Sequence, residues 1–213
     1  MINRITIQAY QVGLVFEKGK LINVLETGSY WILGNKKVHL YEMKQSFVAP
    51  IELTILLQNE KLASLLEVIE IADNEIALYY VNGMFKEVLT TGRYAFWKGY
   101  LDNTFTKIDL SKVYITEQIP VTLLESQKLR AYTRRFQVLN FEKGLLFVNG
   151  AFVKELAAGN YYFWNNAIPI EVKNVDIRQQ QMEIAGQELL TKDKATLRIN
   201  FFVRYQVIDA VKA

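Results

Sequence analysis

The sequence predicts an α+β fold, mainly antiparallel β, made of three tandem β-meander units with short helices between them. Three observations carry this prediction. A glycine is followed nine residues later by a second glycine, and two residues after that by a tyrosine. The pattern occurs as Gly19, Gly28, Tyr30, then Gly83, Gly92, Tyr94, then Gly150, Gly159, Tyr161. The flanking residues agree, with Leu14-Val15-Phe16, Leu78-Tyr79-Tyr80 and Leu145-Leu146-Phe147 before the first glycine, and Leu25, Leu89 and Leu156 before the second. The spacing between copies is nearly constant, 64 residues from Gly19 to Gly83 and 67 from Gly83 to Gly150, as in chains built from repeated supersecondary units.

Each copy opens with an apolar run ending in a tight turn: Glu17-Lys18-Gly19-Lys20, Val81-Asn82-Gly83-Met84 and Val148-Asn149-Gly150-Ala151. Asn-Gly between apolar runs is a hairpin signal, because a type I′ turn needs positive φ at both central residues. A second turn follows at Thr27-Gly28, Thr91-Gly92 and Ala158-Gly159. Aromatic-rich runs come next: Tyr30-Trp31-Ile32-Leu33, Tyr94-Ala95-Phe96-Trp97 and Tyr161-Tyr162-Phe163-Trp164. Such residues suit a pleated, half-buried surface. Taken in order they give a three-stranded meander, with a fourth strand at 37–42, 106–110 and 171–177. Helix formers after a polar cap-like residue predict short helices near 59–66 and 126–133, and strands at 67–71 and 135–140 lead into the next copy. The expected boundaries are 1–69, 70–136 and 137–213. No Gly/Ser-rich linker separates the copies, so the units should abut.

Composition narrows the function classes. Half of the 213 residues are hydrophobic (51%), with 12 Phe, 12 Tyr and 3 Trp, enough for packed cores. The 25 basic and 22 acidic residues are intermixed, giving a net charge of only +3, which argues against a nucleic-acid partner. There is no cysteine and a single histidine, His39, so thiolate catalysis, disulfides, zinc–thiolate sites and a His-based metal site all lack their ligands. No apolar run reaches the ~18 residues of a membrane span. The chain therefore reads as a cytoplasmic segment, peripheral to a membrane at most. No cofactor is expected.

Several residue groups invite functional readings. Thr191-Lys192-Asp193-Lys194 reads as a polar turn between strands. Asp109 and Asp176 alternate with apolar residues on strands and so face solvent. His39, between Val38 and Leu40, reads as a structural histidine. The aromatics Trp31, Phe96, Trp97, Phe163 and Trp164 read as core or inter-repeat packing rather than membrane insertion. The basic run Lys128, Arg130, Arg134, Arg135 is the candidate contact for anionic lipid or an acidic partner. The six repeat glycines, Gly19, Gly28, Gly83, Gly92, Gly150 and Gly159, are structural turn positions. They precede no helix, so they make no phosphate-cradling loop.

The third copy carries more. Phe141-Glu142-Lys143-Gly144-Leu145-Leu146-Phe147, Val175-Asp176-Ile177-Arg178, Gln187-Glu188-Leu189-Leu190-Thr191-Lys192-Asp193 and Val203-Arg204-Tyr205-Gln206-Val207 resemble the start of the SPFH, or band 7, domain of the stomatin/prohibitin/flotillin family. Their order is most similar to the slipin, or stomatin-like, branch. The resemblance covers about 137–213, and the first two copies only through the glycine-and-aromatic skeleton. Relatives usually carry a membrane hairpin where this chain has two extra copies, and a proline where it has Ala158. The resemblance implies a non-enzymatic scaffold head that oligomerises with copies of itself at or near a membrane, with a coiled coil following Ala213 and a membrane surface or membrane protein as partner. The residues alone leave open a second function, a soluble recognition module that binds a peptide or protein at a sheet edge.

Overall fold

The computed structural model describes residues 2–212. The first copy contributes β1 (Ile2–Ile7), β2 (Gln11–Glu17), β3 (Lys20–Leu25), β4 (Gly28–Leu33) and β5 (Lys37–Glu42), followed by α1 (Leu53–Leu56) and α2 (Glu60–Leu65). The second contributes β6 (Leu66–Ile71), β7 (Glu75–Val81), β8 (Met84–Leu89), β9 (Gly92–Trp97) and β10 (Asn103–Asp109), followed by α3 (Val121–Leu124) and a 3-10 turn at Arg130–Tyr132. The third contributes β11 (Thr133–Val138), β12 (Glu142–Val148), β13 (Ala151–Leu156), β14 (Gly159–Trp164) and β15 (Ile170–Asp176). A hairpin of β16 (Gln180–Leu190) and β17 (Thr196–Tyr205) follows. The chain divides into two compact units, Met1–Ser111 and Lys112–Ala213.

The mainly antiparallel α+β class is as expected, and all three copies fold alike. The first glycine closes the hairpin in each: Lys18-Gly19, Asn82-Gly83 and Asn149-Gly150 all have positive φ at both residues, between 49° and 81°, the geometry of a type I′ turn. A register shift recurs at Val15/Phe16, Tyr79/Tyr80 and Leu146/Phe147, where one extra residue sharpens the local twist.

The strand order differs from a meander. In each copy the aromatic run does not pair with the strand before it. It crosses over to pair antiparallel with the strand that opens the copy: β4 with β1, β9 with β6, β14 with β11. The last strand then returns to the hairpin, giving three-stranded sheets ordered β3-β2-β5, β8-β7-β10 and β13-β12-β15. The reason lies at the second glycine. Gly28, Gly92 and Gly159 hold φ of 148–156°, a conformation that redirects the chain instead of closing a two-residue hairpin. The tyrosine two positions on lays its ring over the space a Cβ would fill, 3.2 Å away at Gly28, 3.5 Å at Gly92 and 3.8 Å at Gly159. The Gly-x-Tyr signature is therefore a crossover device.

In Met1–Ser111 the first two copies share a core. Val12, Leu14, Phe16 and Val24 of the first sheet pack with Phe47, Leu53, Leu56 and Leu62 of the connecting segment and with Leu66, Ala95 and Trp97 of the second copy. Asn59 caps α2 by accepting from the Leu62 amide at 3.0 Å, as its helix-start position predicts. These two copies abut. In Lys112–Ala213, Val138, Leu146, Leu156 and Phe163 form the core inside the third copy. Its connector lies along β14: the Trp164 amide donates to the Val113 carbonyl at 3.0 Å, and the Asn165 amide to Tyr132 at 2.8 Å. The helix expected at 126–133 is replaced by α3 further upstream and the 3-10 turn. Pro120 sets the start of α3; Leu129 is buried and Thr133 already opens β11, its hydroxyl donating to the Leu124 and Leu129 carbonyls.

Candidate functional site

The basic run is split by strand alternation. Arg134 and Arg135 are neighbours on β11, so their side chains leave opposite faces. Arg134 clamps the loop after β14: its Nε donates to Asn165 Oδ1 at 2.8 Å, one terminal nitrogen donates to the Ile168 carbonyl at 3.0 Å, and the other to the Asn166 carbonyl. This planar fork is saturated by backbone and amide oxygens, the use to which arginine is better suited than lysine. Arg135 turns the other way. It donates to Asn160 Oδ1 at 3.0 Å and pairs with Glu125 at 3.4 Å. Lys128 is exposed in the turn before the 3-10 segment, and Arg130 is exposed within it.

Two of the four basic residues meet in one place. Arg130 and Arg135 line a cleft of about 450 Å³ together with Leu124, Glu125, Thr133 and Tyr162. Glu125, on the connector, is its hub: the Tyr162 hydroxyl donates to its carboxylate at 2.5 Å while Arg135 pairs with the same oxygen. That hydrogen bond, more than desolvation, raises the Tyr162 phenol above its ordinary value, since losing the proton would set phenolate against carboxylate. The cleft thus presents Arg130 beside an ion pair already satisfied. The membership of Glu125 and Tyr162 could have been read from no local motif; they lie 37 residues apart.

The remaining candidate residues make local contacts. Thr191 and Ala195 close the polar turn reciprocally, with the Thr191 amide and hydroxyl donating to the Ala195 carbonyl at 2.8 and 3.0 Å and the Ala195 amide returning to the hydroxyl at 3.0 Å. Asp109 accepts from the Ser111 amide at 2.9 Å. Asp176 accepts from the backbone and side chain of Arg178, at 2.9 Å and 2.6 Å respectively, and the hydrogen bonds from Arg178 pull its carboxyl below the usual range. The Arg178 guanidinium also covers the Phe141 ring at 3.8 Å, so the Val-Asp-Ile-Arg block is a corner that ends β15. His39 stands edge-on to Phe16, ring centroids 5.3 Å apart.

Among the aromatics, Phe96, Trp97, Phe163 and Trp164 are buried, but Trp31 is 65% exposed. The register explains the exception. Trp31 pairs across from Arg4 as Ala95 does from Val68 and Tyr162 from Arg135, so its structural equivalents are Ala95 and Tyr162. Leu33 is the residue that matches Trp97 and Trp164.

Residues 136–213 match the family model described as SPFH domain / Band 7 family. Over this segment the chain is similar to the SPFH/Band 7 family. The matched SPFH segment holds the β12–β15 sheet, the Asp176–Arg178 corner and the β16–β17 hairpin. It is 35% identical over 78 residues to a stomatin homologue of Pyrococcus horikoshii, covering 36% of this chain and 28% of that protein. The same figures hold for a stomatin homologue of Pyrococcus abyssi. An uncharacterised protein of Archaeoglobus fulgidus is 33% identical over 78 residues, 36% of this chain and 30% of its own length. The chain thus spans less than a third of these relatives. No solved structure gives a significant match. Among the described residues, no helix is long and apolar enough to cross a membrane.

Proposed function

We propose that the chain is the head of a slipin-like scaffold that assembles with copies of itself and organises proteins or lipids at a membrane, attached peripherally and carrying no catalytic step of its own. The observation that carries this reading is the SPFH/Band 7 match over the third copy, with stomatin homologues among its relatives. The β16–β17 hairpin supports it. Within the described residues these two strands form a sheet by themselves, with Met182, Leu189, Leu190, Phe201 and Phe202 exposed. A lone two-stranded ribbon is marginal in water, so such a hairpin suits lateral assembly. In this reading Arg130, exposed in the 3-10 turn, is the basic residue offered to an anionic surface, since Arg134 is committed to its loop and Arg135 to Glu125. Light scattering on residues 1–213 and on the complete gene product at equal concentration tests it. A large homo-oligomer is expected for the complete protein and a monomer or weak dimer for this chain. A strictly monomeric complete protein would replace the scaffold with the recognition-module reading.

A further inference from the structure

The three copies present the same face of their two-stranded sheets, and two of these faces are covered. In the second copy, Ala95 and Trp97 are 3% and 1% exposed and pack with Leu56 and Leu62 of the preceding connector. In the third, Trp164 is fully buried, as is Leu129, the counterpart of Leu62, and Leu124 is buried too. There the connector is held by charge as well: Arg135 and Tyr162, directly paired across β11 and β14, both engage Glu125, the residue after Leu124. In the first copy Leu33 stands where Trp97 and Trp164 stand, and it is 58% exposed beside Trp31.

The polar half of the docking site is also present there. Arg4 and Trp31 are paired across β1 and β4 at the register positions of Arg135 and Tyr162. The Arg4 guanidinium lies over the Trp31 indole, 5.9 Å from the ring centroid. Among the described residues no carboxylate reaches ion-pair distance of Arg4. A guanidinium held over an indole keeps its donors free for a carboxylate while the ring face beside it remains apolar.

We propose that the outer face of the β1–β4 sheet is a docking site for a leucine-bearing segment of a second polypeptide, one carrying a carboxylate beside its buried leucine, as Leu124-Glu125 does in the third copy. Leucine would cover Trp31 and Leu33, and the carboxylate would pair with Arg4. The inference stands on the comparison of the copies and does not depend on the scaffold reading.

The probe is a synthetic peptide of residues 112–132 added to the intact chain, with tryptophan emission as readout. Trp97 and Trp164 are already buried, so a blue shift reports on Trp31. A saturable shift is expected. Arg4→Glu should weaken it by about tenfold or more, as reversal of a paired charge at an interface does. A peptide carrying Glu125→Arg should regain binding to the Arg4→Glu chain. Because Arg4 and Trp31 lie outside the core, circular dichroism should be unchanged in Arg4→Glu and in Trp31→Ala, and Trp31→Ala should abolish the response. Absence of any shift, or a shift indifferent to Arg4→Glu, overturns the proposal. So does a Trp31 shift seen with phosphatidylcholine–phosphatidylserine vesicles and not with peptide, which would make the face a membrane contact.

Discussion

The Phe47 ring meets the Trp97 indole edge-on, centroids 5.2 Å apart and planes at 77°. Phe47 belongs to the connector and Trp97 to the second copy, and Tyr41 of the first copy leans on both, at 5.0 and 6.1 Å. This aromatic cluster joins the first two copies within one compact unit. The Trp97 indole N–H is buried with no acceptor among the described residues. Packing, not hydrogen bonding, is therefore what the residue contributes. Trp97→Ala should destabilise Met1–Ser111 by about 3–5 kcal/mol. Trp97→Phe should cost much less, since it keeps a ring and removes an unsatisfied donor. Urea unfolding of the two variants checks the ratio; equal losses would mean that the N–H matters.

The third sheet is crowded at one backbone position. A Cβ on Gly144 would sit 2.7 Å from Val138 Cγ2 and 3.2 Å from both Leu156 Cβ and Val172 Cγ1. The second copy accommodates Ala77, fully buried, at the matching place, so the backbone itself accepts a side chain. Gly144→Ala should cost about 1–3 kcal/mol by overpacking. Val138→Ala, which removes the nearest atom, should then lose less in the Gly144→Ala background than alone. A double-mutant cycle reads this coupling, and simple additivity would contradict it.

These two sites mark how much of the fold the sequence displayed. The hairpin turns were legible because Asn-Gly and Lys-Gly state their own dihedral angles, and α2 because Asn59 announces its cap. The crossover was not. Thr-Gly and Ala-Gly fit a hairpin as readily as a redirected strand, and only the ring of Tyr30, Tyr94 or Tyr161 over the glycine distinguishes them. Burial of the aromatic runs was legible for four residues of five. Trp31 escaped because burial at its register position depends on a connector lying on that sheet face, as at Ala95, which the repeat pattern does not state. In the candidate site, Arg130 and Arg135 were visible as charges, whereas Glu125 and Tyr162 become partners only through the β11–β14 pairing.

Asp176 predicts an acid response. Hydrogen bonds from Arg178 hold its carboxyl below the ordinary carboxylate value. A group whose folded value is depressed contributes stability above its unfolded value, and that contribution is lost as pH falls through the folded one. The corner should therefore stay closed above about pH 4 and open below it. Protection of the Ile177 and Arg178 amides, relative to their intrinsic exchange rates, should fall in that range. Asp176→Asn should show the reduced protection already at pH 7, with no further acid step. The same acid step in Asp176→Asn would assign it to another carboxylate.

Glu125 predicts an effect at the opposite end of the pH scale. Its carboxylate accepts from Tyr162 and so raises the phenol above its ordinary value. A group raised on folding contributes stability that is present below its unfolded value and is lost as pH climbs through the folded one. The connector should thus loosen from β14 only in strong alkali, above about pH 10. Glu125→Gln removes the negative charge that opposes ionisation, so the Tyr162 titration, followed by NMR of ring-labelled tyrosine, should move down toward the ordinary tyrosine range. The same substitution unpairs Arg135, and amides 121–130 should exchange faster at pH 7 than in the parent chain. Arg135→Ala should reproduce the faster exchange. It should not lower the tyrosine titration, because the positive charge of Arg135 favours the phenolate and its loss pushes the phenol further up. Opposite shifts in the two variants, with the same loosening, are what a connector pinned through one carboxylate requires; a common direction would mean that Tyr162 responds to unfolding of the segment and not to Glu125.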